Sequence, residues 1–290
     1  MRALMVAAVL VASGERLLAQ RPAISRDVAG WMARVGERIE LYYARAQSII
    51  CEETVRLEPL GADLLPNGEH IRELVYELRV SWDGLPETGK GATVVRQLLT
   101  VNGKPPRPGD EPGCLDPKSG TPEPLGILLP HRQGENVFTW KSLGRESGRA
   151  AVALDYRLVR KYQATAAWEG DCGTIDLPTR GRVWLDPTTA DVLRLDERAD
   201  GQHELPAPAM PRRRGAAPSR FIVERAESSI SYRPVAFRDP DETIMLPASI
   251  ISLQVIQNSG TPRLRKQQRF SKYRRFITGG RIVTEPATRE

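Results

Sequence analysis

Cys51 is the first residue to test for chemistry. A thiol acts as a nucleophile when a base stands beside it and its pKa is lowered. Here it follows Ile49-Ile50 at the end of an apolar stretch, which predicts a buried, inert thiol. His70, His131 and His203 each lie in or beside a predicted turn. None has a partner four residues on, so no zinc-binding helix is encoded. Glu52 and Glu53 are adjacent, and on a strand they point to opposite faces. They cannot work as a paired acid and base, and read instead as solvated charge or as a partner for an arginine. Asp239, Asp241 and Glu242 in FRDPDETIMLP lack the glycine of a calcium loop and read as a turn leading into a strand. Asp196, Asp200 and Gly201 fail the same spacing. Phosphate-cradling G-x-x-x-x-G-K-[ST], the G-x-S-x-G elbow and S-x-x-K are all missing from the sequence. The expectation is a protein that is not an enzyme and takes no metal or cofactor.

What remains is apolar surface. GRVWLDPTTADVLRLDER, residues 181 to 198, places Val183, Leu185, Leu193 and Leu195 on one parity and Trp184, Asp186, Arg194 and Asp196 on the other. Two alternating runs split by Pro187-Thr188-Thr189-Ala190 predict a β-hairpin with one apolar face. With the faces of neighbouring elements, it can either fill a private core or wall a cavity for a greasy ligand. The candidate lining is Trp31, Tyr42, Trp82, Trp140, Leu154, Leu185, Leu193 and Leu253.

The elements that would position this face follow from periodicity. Val28, Trp31, Met32, Val35, Ile39, Tyr42, Ala46 and Ile49 recur at three- and four-residue steps, predicting an amphipathic helix over 27 to 50 capped by Asp27 or Ser25. From Glu52 the period becomes two. Strands are predicted at 54–60, 71–82, 94–101, 137–143, 151–161, the two arms of the hairpin, 221–232, 249–257 and 264–276, with a further one at 281–284. Residues 104–124 and 204–219 are Pro-rich loops, and 125–130 is a short helical turn or strand. The fold class is mainly β (α+β). One helix lies across the concave face of a half-open antiparallel β-barrel, or strongly curved sheet, of about ten to eleven strands. No composition change divides the chain, so 27–284 is expected to form a single domain.

Composition is that of an ordinary globular protein, with 290 residues, 40% hydrophobic and 27% charged. The net charge of +6 is spread rather than gathered into an aromatic-laced stripe, which argues against nucleic acid and leaves weak peripheral contact with anionic membrane surfaces open. Met1-Arg2, the run ALMVAAVLVA and Ala19 describe a signal peptide over 1–20, hence a periplasmic or secreted protein. In that compartment Cys114 and Cys172, both in Gly/Pro/Asp loops, are the expected disulfide. It would close a loop of about 59 residues and contribute about 4 kcal/mol in the chain-entropy model.

The hairpin GRVWLDPTTADVLRLDER, together with CEETVRLEPL after the helix and FSKYRRF near the end, resembles the outer-membrane lipoprotein carrier (LolA/LolB-like) superfamily, in an uncharacterised exported bacterial branch. The resemblance implies a half-open barrel and a ligand-binding or scaffold role. The expected ligand is a lipid, an acyl chain or a lipidated peptide or protein in the concave face. The alternative is an envelope sensor or protein-protein interaction module without a lipid ligand.

Overall fold

The computed structural model describes residues 24–46, 48–68, 71–81, 93–110, 123–159, 163–169, 172–206, 220–238, 241–259 and 261–275. The signal segment 1–20, Trp82, Cys114, residues 276–284 and most of both Pro-rich loops lie outside the described residues.

Helix α1 (Val28–Arg45) begins where Asp27 accepts a hydrogen bond from the Ala29 amide at 3.1 Å. Strands follow as β1 (Ile49–Pro59), β2 (Arg72–Ser81), β3 (Thr93–Val101), β4 (Asn136–Glu146), β5 (Arg149–Leu158), β6 (Thr165–Glu169), β7 (Cys172–Asp176), β8 (Thr179–Leu185), β9 (Val192–Ala199), β10 (His203–Pro206), β11 (Arg220–Arg238), β12 (Asp241–Gln257) and β13 (Arg263–Arg275). Residues 123–128 form a 3-10 turn. Ten strands pair in the order β3-β2-β1-β13-β12-β11-β9-β8-β5-β4, β10 adds to β11, and β6-β7 form a separate ribbon. Each of the pairings is antiparallel and the large sheet is not closed, leaving β3 and β4 as its edges.

The sheet must bend around α1. From β2 to β5 there are seven strand intervals, roughly 34 Å if flat at the usual spacing of about 4.8 Å. A helix is only about 10 Å across. Yet Leu78 and Val80 of β2, Leu154 of β5 and Trp31, Val35 and Ile39 of α1 share one buried cluster. The inward register runs Leu154, Val183, Leu195, Ile230, Ile250 across five strands, all buried. The hairpin tip is tied to the helix by Arg38 to Asp191 at 2.5 Å and by Arg34 donating to the Thr188 carbonyl at 2.7 Å.

Three expectations are corrected. The helix stops at Arg45 rather than residue 50, because Ile49 and Cys51 take the period-two burial of β1 and Ser48 turns the chain with φ +58°. Ile49 fits both periods, which is why the sequence misleads there. Strands β11 and β12 run past 232 and start before 249, joined at 239–240. Pro234 and Pro247 sit where β11 has left β9 and β12 has left β13, so neither has to donate a ladder N–H to an outer strand. This two-stranded arm sends Phe237, Ile244 and Leu246 into the helix cluster. His203 and Cys172, expected in loops, are the first residues of β10 and β7.

Two sites hold the curvature. At Gly181 any Cβ would meet the Asp196 carbonyl and stand 2.6 Å from the Tyr156 ring, which lies over the glycine from the paired position on β5. Between the helix cluster and a second one around Val55, Leu74 and Tyr76, the fully buried Glu53 accepts from Arg96 Nε at 2.7 Å and from Gln268 Nε2 at 2.7 Å. The pairing of Glu53 with an arginine thus follows the sequence expectation, on the inner face, while Glu52 meets Lys272 on the other.

Gly181→Ala is expected to destabilise the protein by about 2 kcal/mol or more, and Gly134→Ala, where nothing lies within 4 Å, by less than about 0.5, in urea unfolding. Glu53→Gln is expected to cost about 3 kcal/mol by stranding the Arg96 charge, and the double replacement Glu53→Leu with Arg96→Leu less than that single change.

Candidate functional site

The surface beneath α1 is filled. Trp31, Tyr42, Leu154 and Leu185 lie in the helix cluster, each no more than 8% exposed, and Trp140 packs half-buried against them. Leu193 is buried but outside that cluster, at the bulge where β9 shifts register against β8. Leu253 faces away from α1, since its neighbours Ile250 and Leu246 carry the inward side of β12. The structure therefore brings five of the eight candidate residues together, against one another.

Beneath the helix several polar atoms are enclosed. The Tyr232 hydroxyl is buried with no hydrogen-bond partner among the described residues, and burial, then Tyr42 and Tyr43, push it well above the ordinary phenol range. The Tyr273 hydroxyl donates to the Pro247 carbonyl at 2.6 Å. Cys51 is a free buried thiol, pushed up to about 12 by burial and by the Glu53 charge. A thiol so shifted offers no nucleophile at neutral pH. Among the described residues no group of three or more His, Cys, Asp or Glu is placed to hold a metal ion.

An open groove lies on the opposite face. The groove, of about 590 Å³, crosses β4, β5, β8, β9, β11 and β12. Two adjacent rungs of the sheet form it. One runs Val137, Arg157, Arg180, Arg198, Glu227, Leu253. The other runs Thr139, Asp155, Arg182, Asp196, Ser229, Ile251. The second rung neutralises itself, with Arg182 on Asp155 at 2.5 Å and Asp196 bound by Arg194 at 2.6 Å from the rung beyond. Below it, on the inner side, Tyr156 and Thr179 donate to Glu197 at 3.3 and 3.2 Å. Burial raises the Glu197 carboxyl above the usual range, against the pull of those two hydrogen bonds.

At the hairpin tip, burial opposes ionisation of Asp186, yet the Thr188 and Thr189 amides and Arg149 hold its carboxyl below the usual range. That fixes the turn and with it the strands carrying Arg182 and Arg194. The arginines of the first rung are not singled out by sequence reading. Each sits on the polar parity of its strand, but only cross-strand register, unreadable from one sequence, aligns residues 157, 180 and 198.

Among the described residues no helix is long and apolar enough to cross a membrane. No protein-family model and no curated protein matches the chain. Among solved structures it is similar to a candidate outer membrane lipoprotein-sorting protein domain from Vibrio parahaemolyticus, at 10% identity and a TM-score of 0.42, over 87% of this chain and 92% of that one. It is also similar to a LolA superfamily protein from Nitrosomonas europaea, at 8% identity and a TM-score of 0.38, over 88% of this chain and 97% of that one.

Proposed function

We propose that this chain is an exported, non-catalytic binding protein of the cell envelope, and that it holds an anionic amphiphile in the groove on the face away from α1. The N-terminal segment 1–20 supports export. The observation that carries the ligand reading is the groove itself, where exposed Ile251 and Val137 flank a rung of arginines. An acidic head would meet guanidinium forks, while an apolar portion would cover Ile251 and Leu253 at about 25 cal/mol per Å² before ordering costs. No bond is made or broken, and no proton is moved.

A second reading keeps an acyl chain under α1, against Trp31, Tyr42, Trp140, Leu154 and Leu185. The unpartnered Tyr232 hydroxyl favours it, since a ligand polar group would satisfy it once the helix lifts.

Native mass spectrometry of gently purified protein, with extraction of what it carries, tests both. Under the first reading a bound amphiphile is expected, and the double variant Ile251→Glu with Leu253→Glu retains less than about a tenth of it, because the new carboxylates would be buried against its apolar part. Hydrogen exchange places it: protection of β8 and β9 supports the groove. Full retention in the double variant, with exchange altered in α1 alone, overturns the first reading in favour of the second.

A further inference from the structure

The rung Arg157, Arg180, Arg198 has a narrower meaning. Like charges directly opposite each other on adjacent strands destabilise a sheet. Here three arginines stand in consecutive paired positions on β5, β8 and β9, all exposed and within roughly 10 Å from first to last Cα at ordinary strand spacing.

Little neutralises them. Asp200 lies 3.4 Å from Arg180 and is itself 52% exposed, a weak surface pair. Glu227, next along the rung from Arg198, is held by Arg225 at 2.7 Å. Arg157 and Arg198 make no ion pair among the described residues. The neighbouring rung, by contrast, alternates Asp, Arg, Asp. The unbalanced positive charge of the groove is therefore concentrated on one line.

A carboxylate offers two oxygens and is satisfied by one guanidinium fork. A phosphate monoester offers three oxygens and a charge near −2, which matches several forks converging on one point. Resting on the groove reading above, we propose that the Arg157–Arg180–Arg198 rung is a phosphate site, so that the ligand is a phosphorylated amphiphile with its apolar part toward Leu253 and Ile251. The shared chemistry is the phosphate monoester, carried by a membrane lipid headgroup or by a soluble phosphate ester.

Calorimetry with octyl phosphate, octanoate and octyl glucoside on the whole protein tests this. The three probes share a chain and differ in head. Octyl phosphate is expected to bind at least about tenfold tighter than octanoate. Combined replacement Arg157→Gln, Arg180→Gln, Arg198→Gln should erase that difference, while Arg269→Gln on β13, outside the groove, should leave it. Equal binding of octyl phosphate and octanoate, or an unchanged advantage in the triple variant, overturns the phosphate site. If all three probes bind alike and Ile251→Glu with Leu253→Glu abolishes them, the groove reading stands and only the phosphate inference falls. If none binds, the groove reading falls first. Co-sedimentation with phosphatidylcholine vesicles carrying phosphatidic acid assigns the source to a lipid headgroup, and binding of octyl phosphate without co-sedimentation assigns it to a soluble ester.

Discussion

One packing constraint organises the molecule: a single amphipathic helix is the only α-helix among the described residues available to cover the inward face of a very wide sheet. Burying Leu78 and Leu154 under the same helix requires the strands between them to curl. The devices that allow curling are local. Gly181 lets Tyr156 lie across β8, and register shifts interrupt five of the strand pairs, β11–β12 twice. The arm of β11 and β12 then closes over the far end of the helix with Phe237 and Ile244, anchored where Arg275 meets Glu242 at 2.5 Å.

Curling in one direction has a counterpart on the reverse side. A strongly twisted sheet is saddle-shaped, so a face that is convex along one axis is hollow along the other. The groove lies on that reverse side. Its two rungs flank the inward row Tyr156, Gly181, Glu197, Ser228, and the buried row Leu154, Val183, Leu195, Ile230 comes next, so the core and the charged surface are consecutive lines of the same ladders. Packing that sets the inner row also sets the outer ones. The arginines are held by strands whose opposite faces are buried, which is how a site on exposed side chains obtains a fixed spacing.

Much of the architecture is legible in the sequence because the signals are strong and local. The 181–198 hairpin shows alternation on both arms and an Asp-Pro-Thr-Thr turn whose aspartate caps two amides. Strands at Leu74 to Val80 and Val152 to Leu158 alternate cleanly. Short elements escape: β6, β7 and β10 are four or five residues each, TAAWE, CGTID and HELP, with too little periodicity to register. The helix end is ambiguous because Ile49 satisfies two periods. The groove is invisible for a different reason. Its residues come from six strands scattered between positions 137 and 253, and only pairing register brings them level. Apolar character alone also cannot tell a cavity wall from a filled core, so the buried Trp31, Tyr42, Leu154 and Leu185 look the same in either case.

An unclosed sheet leaves two rows of backbone donors and acceptors that could template the addition of a foreign strand, and with it runaway stacking between molecules. Both borders carry an irregularity against it. At β4 the ladder slips between Trp140 and Ser142, which leaves Lys141 as the extra residue on the outermost strand. At β3 the slip between Val75 and Tyr76 of its neighbour leaves Leu99 unmatched. Neither rim is a straight, flat template, so a barrel that never closes still resists fibre-like self-association.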